Sequence, residues 1–207
     1  MKNIIITILF LFISSNCYSA GPQKINYPID GIKVGDSLKE LYSDSEIKEF
    51  KRQEIKKDGK YYLLARFPSE AVSRLIKRSL DTPPQITKIS RANAFSVIQF
   101  AVKEGDPDMY VYAVAAIRLH PNDINGCLVS KKSLIENVIK KDFKYIKDLD
   151  SEMSHPTNEG KVYQSEFLLD YGNKIRVYCV NFKDDNVMTD HLRFEILNKD
   201  YDSWYNK

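Results

Sequence analysis

A chain of 207 residues with a net charge of +3 is long enough to bury a core of its own, and its charge is too small to point to nucleic acid or an anionic membrane. Hydrophobic residues make up 43%, charged residues 29% and aromatic residues 12% of the chain, which excludes the disordered and fibrous classes. Thirteen tyrosines against a single tryptophan suit strands with half-exposed faces.

Met1-Lys2-Asn3 leads into an apolar run, Ile4 to Ile13, and then into Ser14-Ser15-Asn16-Cys17-Tyr18-Ser19-Ala20. A basic start, a short apolar region and small residues at the exit have the form of a secretory signal peptide. The run is too short for a membrane span, which needs roughly 20 apolar residues. Cys17 and Ser19 stand three and one residues before a cleavage at Ala20, so 1–19 is the expected leader and 20–207 the mature domain. The rival is a lipoprotein signal acylated at Cys17; Asn16 and Ser14 fit it poorly. No later run is long enough to span a membrane, and no Asn-x-Ser/Thr sequon occurs. The expected location is the periplasm or exterior of a bacterium. Cleavage leaves Cys127 and Cys179, and an even count in an oxidising compartment predicts a disulfide between them. Two buried free thiols are the alternative.

Along the mature chain, residues 21–35 read as an extended approach, broken by Pro22, Pro28 and Gly31. Asp36 or Ser37 can cap a short helix at Leu38-Lys39-Glu40-Leu41. Ser43-Asp44-Ser45-Glu46 has capping-box spacing before a second one. Asp58-Gly59 marks a tight turn before a strand over Tyr61–Phe67. Ser69–Leu80 carries Val72, Leu75, Ile76 and Leu80 at helical spacing, and Asp81-Thr82-Pro83-Pro84 ends it. Strands follow over Ala94–Lys103 and Met109–Leu119, joined by a Gly- and Pro-bearing turn.

The longest helical pattern runs from Asn122 to Phe143. Cys127, Leu128, Lys131, Leu134, Ile135, Val138 and Ile139 recur at spacings of three and four, with Lys131 as the polar exception. Residues 148–160 read as a polar loop. Three strands complete the chain, over Val162–Leu169, Lys174–Phe182 and His191–Asn198, and Asp170-Tyr171-Gly172-Asn173 turns the first into the second. In Lys174–Phe182, Ile175, Val177 and Cys179 share one face, so a helix laid on that face brings Cys127 to Cys179. The tail from Tyr201 to Tyr205 is expected to fold its aromatic rings back onto the body.

Gly35-Asp36-Ser37-Leu38 spells the signature of GDSL hydrolases, in which a serine after the first strand attacks esters. That chemistry also needs a general base and oxyanion donors. Here Glu152-Met153-Ser154-His155 lies well before the end of the chain, His191 has Met188 three residues before it, and Asn122 lacks a Gly two residues before it. A capping turn is the preferred reading of Ser37. His120, His155 and His191 are 35 and 36 residues apart, matching no ligand spacing. The lysines at 131, 132, 140, 141, 144 and 147 read as a solvated helix face, an anionic partner being the alternative.

Ile32-x-Val34-Gly35-Asp36-Ser37-Leu38, Asp123-Ile124-Asn125-Gly126-Cys127 and Asp190-His191-Leu192-Arg193 together resemble a set of small uncharacterised bacterial exported proteins. In these a GDSL turn near the mature N-terminus precedes a strand-rich body and a Cys-bearing helix. The resemblance implies export and fold, and it leaves Pro68–Ser90 unmatched.

These readings predict a single α+β domain: an antiparallel sheet of five or six strands, one main amphipathic helix across a face, and short N-terminal helices. The expected function is an exported binding or interaction protein, an inhibitor or accessory factor for another envelope or secreted protein. No catalytic residue, metal, cofactor or nucleic acid enters this reading. The alternative is a GDSL-like esterase with Ser37 as nucleophile.

Overall fold

A computed structural model describes residues 21–55, 58–66, 95, 97–155, 160–183 and 189–207. The expected leader with Cys17, the helix over Ser69–Leu80 and the Asp81–Pro84 stop lie outside the described residues.

Eight strands form one sheet: β1 (Lys51–Glu54), β2 (Tyr61–Arg66), β3 (Val97–Lys103), β4 (Val111–Leu119), β5 (Lys147–Ser154), β6 (Gly160–Leu168), β7 (Lys174–Phe182) and β8 (His191–Leu197). Their spatial order is β1-β2-β3-β4-β8-β7-β6-β5, and every neighbouring pair is antiparallel. Two four-stranded meanders thus meet at the β4–β8 pair. The described helices are short. α1 (Leu38–Leu41) and α2 (Asp44–Glu49) precede the sheet. α3 (Ile124–Leu134) carries the chain from central β4 toward the far edge, and α4 (Lys199–Tyr205) follows β8.

This corrects the expected fold. The sheet has eight strands rather than five or six, and no single main helix dominates it. The two missed strands, β1 and β5, are its two edges. β1 reads Lys-Arg-Gln-Glu and is exposed throughout, and β5 is exposed at all but one position. Charged edge strands have no buried face, so they carry no alternation of apolar and polar residues, and their charges keep the open edges from pairing with other chains. The stretch from Asn122 to Phe143 is not one regular helix either: α3 passes into a π-helical turn over Ile135–Ile139 before ending at Lys140–Asp142.

One face of the sheet is covered. Leu64, Phe100, Val114, Phe194 and Val177 pack there beneath Ile29, Ile32, Val34 and Leu38 of the N-terminal segment and Leu134, Ile139 and Phe143 of the helical stretch. Each large apolar side chain so buried contributes roughly 2 kcal/mol, several times the helix propensity of any one residue. Packing therefore decides where the helical stretch lies. Asp123 starts it by accepting the Gly126 N–H at 2.8 Å. Cys127 and Cys179 are fully buried in this layer and joined by a disulfide with a Cα–Cα distance of 6.0 Å. Among the described residues no helix is long and apolar enough to cross a membrane.

The N-terminal segment is tied down by a second device. Asp30 (φ 52°) and Gly31 (φ 80°) make a tight turn that closes the Ile29–Ile32 bridge. The Asp30 carboxylate receives the Arg66 guanidinium, which also donates to the Tyr42 hydroxyl at 2.9 Å. Burial pushes the Tyr42 hydroxyl up to about 12, with Arg66 opposing.

Candidate binding cleft on the second sheet face

On the second face α4 packs over one end of the sheet. Tyr201 and Trp204 of α4 sit against Tyr61, Tyr112 and Leu197, so the tail does return its aromatic rings to the body. Beyond α4 lies a cleft of about 420 Å³ lined by Gln99, Arg176, Tyr178, Arg193 and Glu195, with His155 and His191 toward its far end.

The register builds this floor in rows. One row runs Gln99–Ala115–Glu195–Arg176–Glu166 across β3, β4, β8, β7 and β6, and the next runs Ile117–Arg193–Tyr178–Gln164. The short side chain of Ala115 leaves room above β4 for its longer neighbours. Arg193 donates to Gln99 Oε1 at 2.6 Å and to Glu195 Oε2 at 2.8 Å. Arg176 donates to Glu166 Oε2 at 2.8 Å and to Asp202 of α4. Lys174 Nζ reaches both Glu166 and Asp202 at 3.0 Å. Three cations thus face three carboxylates. Burial works against the charged form of Arg176, but Glu166, Glu195 and Asp202 more than offset it and hold its pKa up. Burial raises the Tyr178 hydroxyl well above its ordinary value. Such a floor is fixed in shape, close to neutral and supplied with amide, phenol and guanidinium edges.

The residues singled out from the sequence lie elsewhere or apart. Gly35-Asp36-Ser37-Leu38 stitches the N-terminal segment to the start of β4. Gly35 N–H donates to Val111 O at 2.8 Å, Val111 N–H to Asp36 O at 2.9 Å, and the Ser37 hydroxyl to Asp108 O at 2.6 Å. Gly35 has φ +92°, and a Cβ there would meet the Lys24 backbone at 2.8 Å, so the turn demands glycine. Ser37 bridges to Tyr110, whereas His191 pairs with Leu119. At about 3.3 Å per strand residue they stand roughly 30 Å apart. The serine and the histidines are not brought together.

All three histidines gather at the other end of the sheet. His155 and His191 flank the Phe182 ring at 5.1 and 5.9 Å. The His120 backbone N–H donates to Asp190 O at 2.8 Å, and the Phe182 backbone N–H to Asp190 Oδ1 at 2.7 Å. Among the described residues no group of three or more His, Cys, Asp or Glu is arranged to hold a metal ion. Lys131, the polar exception of the helical stripe, is half-buried in a groove near Asp150 and Ser165. Burial lowers its pKa, and Asp150 opposes that shift.

No protein-family model, curated protein or solved structure matches this chain. The reading of the cleft therefore rests on its own geometry. The sequence held one signal for it: Arg176 and Tyr178 interleave with Ile175, Val177 and Cys179, and Arg193 and Glu195 interleave with Leu192, Phe194 and Ile196. Charges alternating with core residues on two central strands mark a face that is polar by construction.

The histidine end is expected to make the stability of the protein pH-dependent. Burial lowers the pKa of both His120 and His191. Arg118 adds to the effect at His120, while Asp123 and Asp190 oppose it. At His191, Arg193 and His155 add to it, and the Thr189 carbonyl and Asp190 oppose it. The unfolded chain, with ordinary histidines near 6.5, therefore takes up protons before the folded one does. Stability is expected to be level above pH 7 and to fall as pH drops below about 6.5. Urea midpoints measured from pH 8 to 5 test this. A His120→Gln/His191→Gln protein should lose most of the slope between pH 6.5 and 5, and an unchanged slope would refute the assignment.

Proposed function

We propose that this protein is an exported, disulfide-stapled binding protein that presents the cleft beyond α4 to another envelope or secreted protein, as an inhibitor or accessory factor. The observation that carries the reading is the cleft floor. Central strands β7 and β8 are covered on one side, and on the other they present polar groups that hold one another in place. A surface fixed in this way offers a partner shape and hydrogen-bond edges at low ordering cost, and aromatic and arginine side chains are the residues that interfaces favour. The Cys127–Cys179 disulfide fits an oxidising compartment, and the resemblance of the short motifs to those of small exported bacterial proteins points the same way.

The test uses the full chain expressed in a bacterium, with a photo-crosslinking residue at Gln164 in the cleft or at the exposed Lys48 of α2 as control. The expected result is oxidised protein in the periplasm or medium, and a discrete protein adduct from position 164 but not from 48. Retention in the cytoplasm with two alkylatable thiols would overturn export. Equal adducts from both positions, or none, would overturn the cleft as the contact surface.

A further inference from the structure

On the other side of α4, at the end of the sheet remote from the histidines, lies a larger groove of about 610 Å³. Lys60, Lys103, Lys199 and Lys207 line it, with Asp58 and Asp200 as the acids among its lining residues. Asp58 is already engaged: it accepts the Trp204 Nε1–H at 2.7 Å and the Lys60 N–H at 3.1 Å. Among the described residues none of the four lysines sits in an ion pair, whereas Lys24, Lys140, Lys161 and Lys174 elsewhere each do. The groove thus holds more positive charge than its own carboxylates use.

Its wall contains a residue that the fold does not call for. Tyr171 has φ 61° and ψ 16°, followed by Gly172 at φ 79°, and the Asn173 N–H donates to Asp170 O at 3.3 Å. These are the two central positions of the tight turn joining β6 to β7, which favours Asn-Gly because both residues need a left-handed backbone. A tyrosine is strained there. Tyr171 is 74% exposed, so core packing does not offset the strain. Strain of this kind points to a role in contact rather than in folding.

We infer that this groove binds an anionic polysaccharide, with the Tyr171 ring against a sugar face and the four lysines against its carboxylate or sulfate groups. Tyrosine offers a flat apolar face with a polar tip, and ammonium groups outside ion pairs, of which that of Lys60 lies 5.5 Å over the Tyr61 ring, are compact charges that can meet anions. A continuous phosphate chain fits less well, because Asp58 and Asp200 interleave with the lysines and the whole chain carries only +3. This site is separate from the cleft, and its test does not bear on the reading given to the cleft.

The probes are alginate as a polyuronate, dextran sulfate as a sulfated polymer, neutral dextran, and a single-stranded oligodeoxythymidylate. Binding is measured by calorimetry at several NaCl concentrations. At least one charged polysaccharide is expected to bind, more weakly as salt rises, and neutral dextran is not. Which of the two binds tells carboxylate from sulfate. Tyr171→Asn is expected to weaken binding about tenfold, the loss of one stacked ring, while Tm stays level or rises because Asn suits the turn. Lys103→Gln/Lys199→Gln should weaken binding and flatten its salt dependence. The inference is overturned if neither charged polysaccharide binds, if Tyr171→Asn keeps full affinity or lowers Tm, or if the oligonucleotide binds more tightly than both polymers.

Discussion

Replacing both bridge cysteines, Cys127→Ala with Cys179→Ala, is expected to lower the unfolding free energy by about 4 kcal/mol, the chain-entropy value for a loop of this length. The residues are separated by 52 positions, and the loop between them runs from the first turns of α3 through β5 and β6 into β7. Without the bridge, that segment is held by its sheet hydrogen bonds and apolar contacts, with no covalent tie from α3 to β7. For a chain of this size the loss corresponds to a Tm lower by roughly 8–16 °C. Both cysteines are fully buried, so dithiothreitol should reduce the native protein slowly and the unfolded protein at once. A double variant within 2 °C of the parent, or an intact mass showing two free thiols in the oxidised protein, would contradict this account.

The second large effect is expected at Arg176. Its guanidinium donates to Glu166 and Asp202, and Nη1 lies 3.9 Å from Glu195 Oε1. Arg176, Glu195 and Asp202 are all buried. Arg176→Ala leaves three carboxylates with only Lys174 and Arg193 to answer them, and breaking a buried charge network from one side costs roughly 3 kcal/mol. Removing the two carboxylates and their second cation as well, as in Lys174→Met/Arg176→Met/Glu166→Gln/Asp202→Asn, should cost clearly less, because the remaining Glu195 keeps Arg193 as its partner. Asp202 belongs to α4, so the single variant should also loosen that helix. Trp204 is the only tryptophan in the chain and reports the change directly, by a red-shifted emission. A stability loss under 1 kcal/mol with unchanged emission would show that the network does not anchor α4.

How far the sequence reached can be followed residue by residue. The helical stripe with Cys127 and the strand face with Ile175, Val177 and Cys179 both follow local periodicities, 3.6 for a helix and 2 for a strand. Their agreement led to the disulfide that the structure contains. The edge strands had no such pattern. Leu149 and Met153 of β5 alternate with Asp148, Asp150 and Glu152, but both apolar residues are exposed, and the stretch reads as loop. Gly35-Asp36-Ser37-Leu38 shows the converse failure. The letters match a catalytic signature, yet their hydrogen bonds run to Val111 and Asp108, partners more than 70 residues away.

The sequence by itself determined what depends on neighbours along the chain: the apolar stripe of the helical stretch, the inward faces of the inner strands, the Asp170–Asn173 turn and the parity of the cysteines. Tertiary structure alone decided what depends on register across strands. Gln99, Arg176 and Glu195 reach one row because β3, β7 and β8 are aligned by their hydrogen-bond ladders, and a slip of one residue would send each to the opposite face. The lysines of the groove that Tyr171 borders likewise come from a turn, a strand end, α4 and the residues after it, gathered where the ends of β3, β4, β7 and β8 meet. Local periodicity shows which face of an element is buried. Only the assembled sheet decides which polar residues share the other face.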